Sequence, residues 1–190
     1  MLAFSHSNKG SMDILADSVE VAIQDLDAYI RVHGRATFKI GPALKQFGAM
    51  ALEKGCRRVI VEMPDCVGMD STFMGVLAGI ATQLKKTGGE LVLRNISEKN
   101  AFLIKMLGLN HLVQIDAEGT STNAMPTKNN MNLHGIGDKR QMTQTMITAH
   151  EALIDAAPDN MMKFKDVLAY LKEDLARTAP HPGIASKPAP

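Results

Sequence analysis

The chain predicts an α/β fold: an open mixed sheet with helices packed on it, followed by a helical hairpin. Three observations predict it. Between Val19 and Ile115 short strand signals alternate with helix signals, as in a sheet covered by helices. The run Val59–Ile60–Val61 is β-branched and free of charge, which suits a strand buried on both faces. Beyond residue 140 two long amphipathic patterns return, set apart by a stretch without apolar periodicity.

The segment Ser5–Ser11 is polar, contains Gly10, and reads as mobile; residues 1–12 are assigned to a flexible start. Val19–Gln24 and Tyr29–His33 read as two strands joined by the acidic turn Asp25–Leu26–Asp27. Gly41–Pro42 opens a helix towards Lys54, because proline suits the first helical position and Leu44, Phe47, Met50 and Ala51 share one face. Gly55 ends it, and Arg57–Arg58 leads into the central strand. After the junction 64–70, Met74, Leu77, Ile80, Ala81 and Leu84 recur at helical spacing up to Lys85–Lys86–Thr87–Gly88–Gly89. Glu90–Arg94 is a further strand. Ser97–Glu98 starts a helix to Met106, predicted to turn Phe102, Leu103 and Met106 inward, and Gly108 closes it.

These elements define a domain over 13–116. Residues 117–140, rich in Gly, Thr, Asn and Lys, are assigned to a linker. Residues 141–177 form a hairpin: Met142, Met146, Ile147, Leu153 and Ile154 line one helix, Pro158–Asp159–Asn160 breaks it, and Phe164, Val167, Leu168, Leu171 and Leu175 line the next, beginning at Met161 or Met162. This hairpin either packs on its own domain or uses Met142, Met146, Met161 and Met162 against a partner or a second copy. A third possibility is a lid folded back over the helix start. Residues 178–190 are Pro-rich and read as disordered.

Function is placed at the junction of the central strand and the next helix. Asp70 is the natural N-cap there, and Ser71 lies just inside the helix with its hydroxyl near free amides. A phosphate at that position would meet those amides and the positive end of the helix dipole, opposed by the charge of Asp70.

Asp70–Ser71–Thr72, the apolar helix ending in Gly88–Gly89, the strand Glu90–Arg94, then Asn95–Ile96–Ser97 and Leu107–Gly108–Leu109, resemble the STAS family of sulphate transporters and anti-sigma factor antagonists. The resemblance runs from about Val19 to Ile115 and includes Val32–His33–Gly34 and Pro42–Ala43–Leu44. It implies a STAS-like open mixed sheet. In the antagonist branch, the serine directly after the motif aspartate is phosphorylated by an anti-sigma serine kinase and released by a metal-dependent serine phosphatase. That position is Ser71 here, with Thr72 as the fallback. The resemblance further implies a partner-binding surface of Asp70, Ser71, Thr72, Phe73 and Met74 with Arg35 and Thr37. Two departures bear on the identity of the kinase. Phe73, Met74 and Gly75 stand where Gly, Leu and Gly are usual, and Arg35–Ala36–Thr37–Phe38–Lys39 stands where an acidic pair is common.

Composition narrows the alternatives. With 21 Lys and Arg, 20 Asp and Glu and a net charge of +1, the chain carries no electrostatic footprint for nucleic acid. No run of apolar residues is long enough to insert in a membrane, and the start is too short for a signal-peptide core, so a cytoplasmic location is expected. Cys56 and Cys66 lack zinc-ligand spacing and read as reduced, partly buried thiols. His33, His111, His134 and His150 show no i, i+4 pairing, so each reads as a surface or internally satisfied histidine, and no metal or cofactor is expected. Ser71 lacks a G-x-S-x-G elbow, and no Gly-rich phosphate loop follows a strand; no catalytic residue is assigned. The expected activity is therefore binding. The alternative is a non-switching STAS scaffold, or a cytoplasmic regulatory subunit of a lipid or anion transporter, self-associating through the C-terminal helices.

Overall fold

The structure is a computed structural model, which describes residues 17–116, 126, 131–133 and 137–178. The expectations for residues 1–12 and 179–190, and for most of 117–140, lie outside the described residues. Six strands form one mixed sheet: β1 (Ser18–Gln24), β2 (Asp27–Ala36), β3 (Arg58–Met69), β4 (Glu90–Arg94), β5 (Gln114–Asp116) and β6 (Met131–Leu133), in the order β5-β4-β3-β2-β1-β6. β1 pairs antiparallel with β2 and β6; β2, β3, β4 and β5 are parallel neighbours. The helices are α1 (Gly41–Glu53), α2 (Ser71–Lys86), α3 (Glu98–Met106), α4 (Lys139–Ala156) and α5 (Asn160–Arg177). The expected mixed sheet with helices packed on it is the observed fold. β6, inside the stretch read as an irregular linker, is three residues long, too short for a periodicity to declare it.

The strand register explains the core. Val21, Ile30, Val61 and Leu93 stand abreast on one face and enter a single cluster with Leu44 and Phe47 of α1, Phe73, Leu77 and Leu84 of α2, and Ile104 of α3. One residue further along, Glu20, Arg31, Glu62, Arg94 and Asp116 stand abreast on the other face, an alternating row of acids and bases across five strands. Within it Arg94 lies 3.3 Å from Glu62 and 3.9 Å from Asp116, and Asn95 Nδ2 donates to Glu62 at 3.1 Å.

β3 outruns its expected end at Met63 and continues to Met69. Its pairing with β4 stops at Glu62–Arg94, so beyond that point β3 is an edge bonded to β2 alone, where Pro64 costs no ladder bond. The β2–β3 register shifts around Pro64 and again between Gly34 and Arg35, which delivers Met69 and Asp70 to the start of α2. α3 corrects one expectation. Its buried residues are Asn100 and Ile104, followed by Leu107 at the C-cap; Leu103 packs against the core as expected, whereas Phe102 is 60% exposed and Met106 is 52% exposed. Asn100 donates to the carbonyl of Cys66 at 3.0 Å, which turns that face of the short helix to the sheet.

Cys56 and Cys66 are free and buried. Burial pushes both thiols up from the ordinary cysteine range. The nucleophilic thiolate is therefore scarcer in the native state than in the unfolded chain. Native protein at pH 8 is expected to take up almost no iodoacetamide, and protein in denaturant to take up two equivalents, read by intact mass. Rapid alkylation of the native protein would contradict the burial.

Candidate functional site

The N-terminus of α2 is built around Asp70. Its backbone is extended, its Oδ1 accepts the amide of Phe73 at 2.8 Å, and its Oδ2 accepts the amide of Phe38 at 2.6 Å. Its own amide donates to Ala36 at 3.0 Å. One side chain thus caps α2 and holds the loop after β2 against it. Asp70→Ala removes the cap and strands the Phe38 amide; a loss of about 2–3 kcal/mol is expected in urea denaturation. Asp70→Asn should recover only part of it, because its one acceptor oxygen can take one of the two amides while its NH2 group faces the other.

Arg35, Thr37 and Asp70 line one cleft together with Val67, Lys99 and Leu103. Arg35 is exposed and Thr37 half-buried. Ser71, the first residue of α2, lies beside this cleft and is half-buried. The fold therefore brings Arg35, Thr37, Asp70 and Ser71 to one junction. It does not bring Thr72, Phe73 and Met74 to the surface. Phe73 is 0% exposed, and Thr72 and Met74 are each 4% exposed. α2 is wedged between the sheet and α4, and of its first four residues Ser71 alone is half-buried while the next three are buried. The expectation that Phe73 and Met74 offer a docking surface is corrected on this point, as is the accessibility of Thr72.

The side chain facing Ser71 comes from α4. Ser71 Oγ lies 2.9 Å from His150 Nε2, and His150 Nδ1 lies 2.7 Å from the carbonyl of Met146. A carbonyl can only accept, so the Nδ1 proton belongs to that bond, and in the neutral form of the ring Nε2 accepts from the Ser71 hydroxyl. His150 is buried and its ring packs on Phe164 of α5, centroids 4.8 Å apart. Its reading as an internally satisfied histidine holds; its partner was missed. The spacing Met146, His150, Leu153 marks the inward stripe of α4 and is the signal that could have pointed to it.

Packing, more than this hydrogen bond, holds α4 in place. Ala149 and Leu153 enter the main core cluster. A Cβ on Gly75 would stand 2.3 Å from the carbonyl oxygen of Ala149, so only glycine permits the helices to approach this closely. Lys45 of α1 donates to Thr148 at 3.2 Å. At the turn between α4 and α5, Asn160 donates to the carbonyls of Leu107 and Leu153 at 2.9 and 2.8 Å, and Lys163 donates to Met106 at 2.9 Å. A hydrogen bond contributes about 0.5–1.5 kcal/mol net, whereas burying one leucine contributes about 1.5–3. The Ser71–His150 contact therefore sets register, and apolar burial supplies most of the stability.

The STAS domain family matches residues 18–121, more than half of the chain. The chain belongs to the STAS domain family. Among relatives of this STAS protein, the anti-sigma-B factor antagonist of Bacillus subtilis (strain 168) is 31% identical over 101 residues, 53% of this chain and 92% of that protein. The anti-sigma-B factor antagonist of Staphylococcus aureus is 26% identical over 103 residues, 54% of this chain and 94% of that protein. The solved structure of the Bacillus cell fate determinant SpoIIAA in the phosphorylated form overlays with a TM-score of 0.45 at 19% identity, covering 53% of this chain and 92% of that one. α4 and α5 lie beyond the residues that the family matches. No helix among the described residues is long and apolar enough to cross a membrane.

Proposed function

We propose that this STAS protein is a phosphorylation-controlled binding module of the anti-sigma factor antagonist type, acting in the cytoplasm, which docks on an anti-sigma serine kinase while Ser71 is unmodified. The observation that carries the reading is the placement of Ser71: first residue of α2, directly after the capping Asp70, and half-buried where the three residues after it are buried. The 31% identity to an anti-sigma-B factor antagonist supports it. The docking residues proposed with Ser71 are Asp70, Arg35 and Thr37. Phosphorylation adds about −1.5 to −2 charges at neutral pH, next to the carboxylate of Asp70. Burying that charge against a partner surface costs enough to reverse docking, and a metal-dependent phosphatase restores it.

The experiment is partner capture by purified Ser71→Ala and Ser71→Asp variants. Ser71→Ala is expected to retain the anti-sigma kinase under all conditions, and Ser71→Asp to lose it at least about tenfold. Equal retention by both variants and by the wild type would refute the switch. A second reading, a non-switching scaffold, is favoured by one observation: α4 already occupies the face of α2 beside Ser71.

A further inference from the structure

The α4–α5 hairpin sits where a partner of Ser71 would sit. We propose that it is an intramolecular cover: α4 fills a helix-docking groove along α2, from Ser71 to Gly79, and a protein partner gains that groove only by displacing the hairpin. The inference rests on the reading of Ser71 given above, and it adds the competitor and the chemistry of the partner. The groove accepts an amphipathic helix with a stripe of small residues, because that is what it holds now.

Three observations carry the inference. First, the match already spans 92% of the Bacillus subtilis relative, which leaves too little of that protein for a counterpart of two 18-residue helices. The equivalent face of α2 is therefore not covered in this way there. Second, the hairpin has an apolar centre of its own. Ile147 of α4 packs with Leu168 and Leu171 of α5 in a cluster separate from the main core, flanked by Met146, Ile154 and Leu175. It can leave as a unit without dissolving into two bare helices. Third, the edge of its seat is open to solvent. A groove of about 240 Å³ runs between α1, α2 and α4, with Lys45, Gly48, Gly79, Gln83 and Ala152 among its lining.

Ser71 is the point where modification and cover meet. In the neutral form of the His150 ring its one proton is committed to Met146, so Nε2 takes the hydrogen of the Ser71 hydroxyl. A phosphoryl group on Oγ replaces that hydrogen, so Nε2 loses its hydroxyl donor and a charged, bulky group is placed against α4.

The test pins the hairpin. Cβ atoms at Gly79 and Ala152 would be 4.0 Å apart, inside the range of about 3.5–4.5 Å that a disulfide requires, and nothing else lies within that distance of the Gly79 position. The full-length Gly79→Cys/Ala152→Cys protein is compared oxidised and reduced. In the reduced protein and the wild type, amides of α4 and α5 are expected to exchange with deuterium at least about 100-fold faster than those of β3 and β4, through an opening that spares the sheet. Oxidation should abolish that difference. Exchange of α4 together with the central strands in the wild type would overturn the cover.

In parallel, both forms are incubated with ATP and a desalted extract of the native cells, and phosphate on Ser71 is measured. Phosphorylation of the reduced form alone supports the cover, and equal phosphorylation of both forms overturns it. Phosphorylation of neither counts against the Ser71 reading itself, and the exchange data then decide the cover on their own.

Discussion

Arg94→Ala is expected to lower stability by about 3–5 kcal/mol, the largest effect predicted for any single side chain of this protein. Arg94 is buried on β4, one strand in from the β5 edge, between Glu62 at 3.3 Å and Asp116 at 3.9 Å. Removing it leaves the buried Glu62 carboxylate with the Asn95 amide as its hydrogen-bond donor and Arg31, abreast on β2, as the nearest cation of the row, so the cost is set by a charge stripped of its closest partner more than by a lost attraction. The distinction can be measured. If stranding dominates, the double variant Glu62→Leu/Arg94→Leu recovers most of the loss in urea denaturation, because it removes both charges together and keeps apolar volume. A loss below about 1 kcal/mol for the single variant would show that the row is solvated and behaves as a surface pair.

Leu153→Ala is expected to cost about 2–5 kcal/mol. Leu153 is fully buried in the main core cluster although it belongs to α4, outside the residues that the family matches. Its carbonyl also receives Asn160, so loosening here is transmitted to the turn before α5. The loss should concentrate in the hairpin: amide exchange of α4 and α5 accelerates while β3 and β4 change little. Met162→Ala, on the exposed side of α5, is the control and should fall within about 0.5 kcal/mol of the wild type. Equal losses for the two variants would mean that the hairpin does not share the core.

The elements legible in the sequence are those whose information is local. Pro42 after Gly41 fixes the start of α1, Asp70 and Ser97 cap α2 and α3, and the β-branched run 59–61 marks β3. The junction at Ser71 was legible for the same reason, since an N-cap and its neighbour lie side by side in the chain. What was not legible depends on register and on distance. Glu20, Arg31, Glu62, Arg94 and Asp116 are scattered over nearly 100 residues and become one row only when five strands pair in one register.

Phe102 and Met106 look like an inward pair at i and i+4, yet the buried face of α3 is decided by Asn100 reaching Cys66. The resemblance to the antagonists implies that Phe73 and Met74 lie on the partner-binding surface. Two apolar residues at that point are better explained by α4, which converts the surface of α2 into an interior. His150 stands 79 residues from Ser71, and no local pattern links them.

The account turns on whether Ser71 is modified in life. The most direct measurement is intact-mass and phosphosite mapping of the protein isolated from its native cells in resting and in stressed growth. The account predicts a phosphate on Ser71 whose stoichiometry changes with growth state, with Thr72 unmodified behind it. An unmodified Ser71 in every condition would contradict it, and would leave the hairpin-covered domain as a scaffold without a switch.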